Sequence, residues 1–119
     1  MRYIFTGRQM KEIDNYTINT TKIPSLVLME RASYEVAKEI MKRFGKEERI
    51  VVVCGNGNNG ADGMCTARIL SEYGYQASYI YEFDAKKATD ELRTQLTICE
   101  NEGIKRATLS EISTYSIIV

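Results

Sequence analysis

The residues best suited to chemistry lie in one short segment, where Gly-Asn-Gly-Asn-Asn-Gly-Ala-Asp-Gly (residues 55–63) follows the β-branched run Val-Val-Val. Glycine lets a ligand approach the backbone closely. The side-chain amides of Asn56, Asn58 and Asn59 can donate to phosphate oxygens or offer carbonyl oxygens to a cation. A helix that starts behind such a segment points its first N–H groups and the positive end of its dipole at the ligand. The segment therefore predicts a ligand-binding loop.

Asn-Gly pairs also form tight hairpin turns, which is the main alternative for this segment. A hairpin needs a second strand directly after the turn. Instead, Met64, Ala67, Leu70 and Tyr73 repeat at helical spacing, and Gly74 supplies a helix stop. The order strand, loop, helix favours the ligand-binding interpretation.

Residues 55–60 also match the dinucleotide fingerprint G-x-G-x-x-G. In a dehydrogenase an acidic residue about 20 positions further on would bind the ribose, and Glu82 or Asp84 has that spacing. Asp62 argues against this interpretation, since a carboxylate at the helix amino terminus would compete with a pyrophosphate. We expect Asp62 to be the helix N-cap, or to bind ligand hydroxyls or act as an acid or base.

Cysteine and histidine usage narrows the possible chemistry. The chain has no histidine, so a Cys–His nucleophile and a histidine metal site are excluded. Its three cysteines form no C-x-x-C pair, and Cys54 and Cys99 are expected in the core. Cys65 is expected in the first turn of the helix, where a thiol pKa can be lowered. Because the usual activating base is missing, we do not assign it a catalytic role.

Length and charge set the class of protein. A chain of 119 residues is typical of one domain, and 16 basic residues balance 16 acidic ones. This balance leaves no excess of positive charge that would attract nucleic acid or an anionic membrane. The chain contains no apolar run near the ~20 residues needed to span a bilayer, and its amino terminus is too polar for a secretory signal. We therefore expect a cytoplasmic protein.

Helix and strand patterns alternate along the chain. A first helix is predicted from Thr6 to about Asn19, and a second after Pro24 with a stop at Gly45. The apolar stripe of the second helix is expected at Leu26, Met29, Ala32, Val36, Ile40 and Phe44. Beyond residue 48 the predicted elements are a strand at Ile50–Cys54, a strand at Tyr75–Phe83, a helix at Thr89–Glu102, a strand at Ile104–Ala107, a capping box at Thr108–Glu111 and a strand at Tyr115–Val119.

This order predicts an α/β fold, a Rossmann-like three-layer αβα arrangement with a mostly parallel sheet and helices on both faces, preceded by two helices. Ligands bind in that architecture at the carboxyl ends of the strands, where the Asn/Gly loop is expected.

Two segments resemble the YjeF N-terminal domain family, whose enzymes are NAD(P)H-hydrate epimerases. Residues 23–32 (Ile-Pro-Ser-Leu-Val-Leu-Met-Glu-Arg-Ala) are similar to the family helix Ile-Pro-Ser-Leu-Val-Leu-Met-Glu-Asn-Ala-Gly. Residues 55–63 are similar to the family loop Gly-x-Gly-Asn-Asn-Gly-Gly-Asp-Gly. The resemblance extends over the whole chain in element order.

The resemblance implies an activity and a set of site residues. The family interconverts the R and S C6 epimers of hydrated NADH and NADPH, damaged cofactors that a companion dehydratase repairs. By resemblance, Asn58, Asn59, Gly60, Ala61 and Asp62 would contact the hydrated dinucleotide. Asn59 would also ligate a potassium ion, which suits a hard cation that prefers oxygen ligands. Asp62 is then the candidate catalytic residue.

The chain departs from the family pattern in four places. Arg31 and Ser33 replace an asparagine and a glycine, and Ala61 replaces a glycine. If the position of Ala61 required a positive φ, alanine there would cost about 1 kcal/mol. The strand ending at Val119 is similar to one that, in the family, runs into an aspartate that ligates potassium and takes part in catalysis. We therefore expect residues 1–119 to be an incomplete YjeF N-terminal domain that lacks epimerase activity alone.

The sequence is also compatible with two other functions. One is a nicotinamide-dependent oxidoreductase domain, and the other is a non-catalytic scaffold of the same family. The exposed edge of an incomplete sheet also predicts self-association into homo-oligomers.

Overall fold

The computed structural model describes residues 22–81 and 85–119. The predicted helix from Thr6 to Asn19 and the acidic candidates Glu82 and Asp84 lie outside the described residues.

Helices and strands alternate in the described part of the chain. The helices are α1 (Ser25–Arg43), α2 (Asn58–Glu72) and α3 (Asp90–Asn101). The strands are β1 (Arg49–Val53), β2 (Gln76–Ile80), β3 (Lys105–Ala107) and β4 (Ile117–Ile118). Two short 3-10 segments occupy Ala85–Lys87 and Leu109–Thr114. Within these ranges, no helix is both long and apolar enough to cross a membrane.

The strands form one parallel sheet in the order β3-β2-β1-β4. Val51 of β1 is level with Ser78 of β2 on one side and with Ile118 of β4 on the other. The predicted α/β fold class with a parallel sheet is confirmed. Because β1 has a partner on each side, the loop that follows it leaves from the interior of the sheet.

The two faces of the sheet are covered differently in the described residues. Ile50 and Val52 of β1 point to the face that carries the α-helices, where they pack in two apolar clusters. Val51 points to the opposite face, beside Ile80 and Tyr115. This alternation follows from the two-residue period of a strand.

Helix α1 begins after Pro24, whose φ of −55° is already set for helix entry. Met29, Val36 and Ile40 of the predicted stripe are buried. Leu26, predicted to face inward, is 41% exposed. Helix α1 packs against α2, and α2 packs against α3, so α2 is the middle helix of its layer.

Candidate ligand-binding loop

The Asn/Gly loop is shorter than predicted because α2 begins at Asn58, with Gly57 as its N-cap residue. The helical repeat at Met64, Ala67, Leu70 and Tyr73 predicted this helix, but the helix starts upstream of that repeat. The N–H groups of Gly60 and Ala61 donate to the carbonyl oxygen of Gly57 at 3.0 and 3.2 Å. The N–H groups of Asn58 and Asn59 precede these first helical bonds and point out of the amino end of the helix.

Asp62 is therefore inside α2 and is not its N-cap, which corrects that expectation. Asp62 is buried, with 6% of its surface exposed. The first turn of α2 contains no acidic residue. The expectation that the Asp62 carboxylate occupies the helix terminus, where it would compete with a pyrophosphate, is thus wrong. The carboxylate belongs to a residue beyond the first turn.

The main chain of Asp62 joins α1 to α2. Its carbonyl oxygen accepts hydrogen bonds from Ser33 Oγ at 3.2 Å and Thr66 Oγ1 at 2.8 Å. Ser33, one of the departures from the family pattern, is completely buried. Its hydroxyl therefore serves helix packing, whereas Arg31 is exposed.

Two glycines of α2 allow contacts that a side chain would prevent. A Cβ on Gly60 would lie 2.0 Å from the carbonyl oxygen of Gly55. A Cβ on Gly63 would lie 2.8 Å from Cγ1 of Val52, so Gly63 lets α2 pack closely on β1. Ala61 is helical and fully buried, and it is not among the residues with a positive φ. The strain considered for alanine at this position is therefore absent.

The amino end of α2 is electrostatically open. Gly57 provides no side-chain cap, and acidic residues are absent from the first turn. Helix α3 differs, since Thr89 Oγ1 accepts from the N–H of Leu92 at 3.2 Å and acidic residues occupy its first turn. The partial positive charge of α2 is thus left for another anion.

The side chains of Asn58 and Asn59 are exposed at this end of α2. Neither makes a hydrogen bond to another group in residues 22–81 or 85–119. Within these ranges, both amides keep their hydrogen-bonding groups unused.

Asn56 is held by two contacts that the sequence did not predict. The hydroxyl of Tyr81, directly after β2, donates to Asn56 Oδ1 at 3.2 Å. The N–H of Thr89, the N-cap of α3, donates to the Asn56 carbonyl oxygen at 3.2 Å. A tyrosine at the carboxyl end of the neighbouring strand was the available signal, because neighbouring parallel strands bring those ends together.

The described residues offer a potassium ion neutral oxygen atoms. They contain no group of three or more His, Cys, Asp or Glu side chains placed to hold a metal. The exposed amide oxygen of Asn59 suits one ligand position of a hard cation. The carbonyl oxygens of Asn56 and Gly57 already accept N–H groups.

The cysteines are inert core residues. Burial raises the pKa of Cys54, Cys65 and Cys99 to about 12 each. The possibility that the pKa of Cys65 is lowered is therefore wrong. Cys65 Sγ lies 3.3 Å from Glu30 Oε1 and 3.3 Å from Arg68 Nη2, in a contact between α1 and α2.

Arg68 is the cation of this contact. Its side chain is 9% exposed and pairs with Glu30 of α1 and with Glu72 of its own helix, whose Oε2 lies 3.0 Å from Nη1. A buried arginine thus ties the helix that carries Glu30 to the helix that follows the loop.

A separate cavity of about 300 Å³ lies at the opposite, amino end of the strands. Arg49, Gln76 and Lys105, each at the start of a strand, contribute to its wall. No residue of the Asn/Gly loop lines it. The cavity is therefore distinct from the candidate site.

Comparisons with known proteins identify relatives of the chain. The chain is 37% identical over 116 residues to a protein of Leuconostoc citreum named NAD(P)H-hydrate epimerase, a match that covers 98% of this chain and 52% of that protein. It is 44% identical over 98 residues to a protein of the same name from Limosilactobacillus reuteri, covering 82% of this chain and 46% of that one. The chain thus spans about half the length of these curated relatives.

A solved structure has the same fold. The crystal structure of yeast ynu0 (YNL200c) superposes with a TM-score of 0.70 at 24% identity, covering 92% of this chain and 48% of that chain. Residues 25–119 match the family described as the YjeF-related protein N-terminus. With its parallel sheet and its Gly/Asn loop at the start of α2, the chain belongs to the YjeF N-terminal family.

Proposed function

We propose that this chain supplies the substrate-binding loop of an NAD(P)H-hydrate epimerase, which interconverts the R and S C6 epimers of hydrated NADH and NADPH. Family membership and the names of the relatives support this function. The observation that carries it is the open amino end of α2, which follows the loop at the carboxyl end of β1. That end of the helix suits the phosphates of a dinucleotide.

The binding residues have distinct parts in this proposal. Asn58 and Asn59 contribute exposed side-chain amides and helix-terminal N–H groups. Gly60 lets α2 start close against the loop, because a side chain there would meet the Gly55 carbonyl. Ala61 and Asp62, the next two residues of the helix, complete the binding segment.

A potassium ion belongs to the same proposal. The Asn59 amide oxygen is the ligand that we assign to it, and the remaining coordination is left unassigned. When bound, the ion supplies positive charge beside the anionic substrate. Asn59 would hold the ion through its amide oxygen, and its backbone N–H would remain free for the substrate.

Asp62 is the acid–base residue of the proposal. Epimerisation removes the C6 hydroxyl as water, with the ring nitrogen lone pair forming a C=N bond. Water then returns to the other face and loses a proton. A carboxyl group can give the first proton and take back the second. Asp62 is buried within α2, four residues beyond Asn58 at the helix start to which we assign the phosphates.

The proposal extends to a cytoplasmic location, a companion dehydratase that consumes one epimer, and a homo-oligomer. The balanced charge of 16 basic and 16 acidic residues is in keeping with a small-molecule substrate rather than a nucleic acid.

Epimer interconversion tests the function directly. Purified R or S hydrated NADH is incubated with potassium and with a polypeptide that contains residues 1–119 and has the length of the curated relatives, and the approach to the epimer mixture is followed by chromatography. We expect catalysed interconversion, and loss of it with Asp62→Asn. A protein that binds NADH and its hydrate equally and leaves both epimers unchanged would contradict the proposal.

A further inference from the structure

Asn56 lies between two glycines, which contribute no side-chain packing to the loop. A Cβ on either flanking glycine, Gly55 or Gly57, would meet no atom within 4 Å. Glycines on both sides give the unfolded chain many conformations at this point. Contacts made by Asn56 itself therefore add to the main-chain contact between Gly55 and Gly60 in holding the loop.

Those contacts come from two other elements. The Tyr81 hydroxyl holds the side-chain oxygen of Asn56, and the Thr89 N–H holds its main-chain oxygen. Tyr81 is 2% exposed, and the Arg106 guanidinium lies 5.3 Å from its ring centroid and donates to its carbonyl oxygen. The hydroxyl therefore projects from a side chain that is fixed by its surroundings.

The direction of the Tyr81 hydrogen bond decides which end of the Asn56 amide is left for a ligand. An amide has an acceptor oxygen and a donor NH₂ on opposite sides. Because Tyr81 occupies the oxygen, the NH₂ faces away, and it makes no hydrogen bond within residues 22–81 and 85–119. Asn56 is thus set to donate its NH₂ group, which suits phosphate or hydroxyl oxygens.

We propose that Tyr81 is a positioning residue for the bound dinucleotide: its hydroxyl orients Asn56 so that the amide NH₂ donates to the ligand. The inference rests on the proposed function of the loop, and it adds two residues that the family resemblance does not assign. Tyr81 acts through Asn56 and is not a catalytic residue.

A double-mutant cycle tests the coupling between Tyr81 and Asn56 in the same polypeptide as the epimerisation assay. Binding of hydrated NADH is titrated at fixed potassium for the wild type, Tyr81→Phe, Asn56→Ala and the double variant. We expect Tyr81→Phe to weaken binding about fivefold and to raise KM with little change in kcat, as for one lost hydrogen bond. Asn56→Ala should weaken it about tenfold, and adding Tyr81→Phe should weaken it no further.

Two further variants provide a control and a test of the donor role of Asn56. Tyr75→Phe is the matched control, because the Tyr75 hydroxyl bonds the carbonyl oxygens of Met41 and Phe44 away from the loop. It should leave binding unchanged. Asn56→Asp keeps an acceptor for Tyr81 but removes the donor, so we expect binding weaker than that of Asn56→Ala.

The outcomes separate this inference from the proposed function. If the wild type binds the hydrate but Tyr81→Phe has no effect, or its effect adds in full to that of Asn56→Ala, Tyr81 does not position Asn56. Tighter binding by Asn56→Asp would likewise overturn the donor role. A wild type that binds no hydrated NADH would overturn both proposals.

Discussion

Gly60 and Gly55 touch backbone to backbone, so closely that a Cβ on Gly60 would lie 2.0 Å from the Gly55 carbonyl oxygen and 2.8 Å from its carbon. The obstructing atoms belong to the main chain, so no side-chain rotation could relieve the overlap. This contact sets the distance between the end of β1 and the start of α2.

Substitution of Gly60 should therefore cost stability as well as ligand binding. We expect Gly60→Ala to lower the free energy of unfolding by about 3 kcal/mol, the upper range for an overpacked site, measured by urea denaturation. Gly55→Ala is the matched control, because its Cβ would enter open space and its φ is not positive. It should change stability by less than about 0.5 kcal/mol. Equal losses in both variants would contradict the contact.

Asp62→Asn tests the acid–base role with little structural disturbance. The hydrogen bonds from Ser33 and Thr66 use the main-chain oxygen of residue 62, so they survive the change. We expect kcat for epimerisation to fall at least about 100-fold while the affinity for hydrated NADH changes little. Asp90→Asn, at an exposed carboxylate paired with Arg93 at 3.6 Å, should leave kcat unchanged. A kcat of Asp62→Asn close to that of the wild type would remove Asp62 from the mechanism.

The buried thiols predict a loss of stability in alkali. Their pKa values are raised from 9.0 to about 12 in the folded protein. The unfolded chain therefore releases protons first as the pH rises, and stability, complete below pH 9, falls between about pH 9 and 12. Urea denaturation at pH 8, 9 and 10 measures this slope.

Cys65→Ala isolates the thiol contribution from that of lysines and tyrosines, which titrate in both proteins. The variant should lose stability less steeply with pH than the wild type. The wild-type thiols should also resist alkylation at pH 8 until the protein unfolds. Rapid alkylation of the folded protein would show that a thiol is more acidic than its burial implies.

Arg68 should contribute more to stability than an exposed arginine. We expect Arg68→Met to lower the free energy of unfolding by about 2 kcal/mol, because it removes hydrogen bonds to Glu30 and Glu72 from a mostly buried side chain. Arg93→Met, in a solvent-exposed pair, should change it by less than about 0.5 kcal/mol. Denaturation curves of the two variants in the same buffer decide the comparison.

Patterns along the chain predicted most of the described elements. The continuous apolar run predicted β1, and the helix predicted at Thr89–Glu102 forms as α3, with Thr89 as its N-cap residue. The capping box at Thr108 also forms, with its N–H donating to Glu111 Oε1 at 3.1 Å. These features depend on neighbours in sequence, which is why they can be predicted locally.

The start of α2 and the hydrogen bond between Tyr81 and Asn56 were not predicted, because both depend on tertiary contacts. Asparagine, glycine and aspartate are poor helix formers, so residues 58–63 read as loop. The Gly60–Gly55 and Gly63–Val52 contacts and the packing of α2 between α1 and α3 override that preference. Tyr81 and Asn56 are 25 residues apart, and only the parallel pairing of β1 and β2 brings them together.

The strand order has a consequence for how the site can diversify. From β1 the chain travels over the helical face to β2, whereas β4 is reached from β3 across the other face. The routing reverses at β1, and such a topological switch point opens a crevice whatever side chains border it. The strand connectivity thus sets the position of the crevice, and in the proposed function a few amide side chains set the choice of ligand. Exchanging those amides would retarget the crevice without moving it.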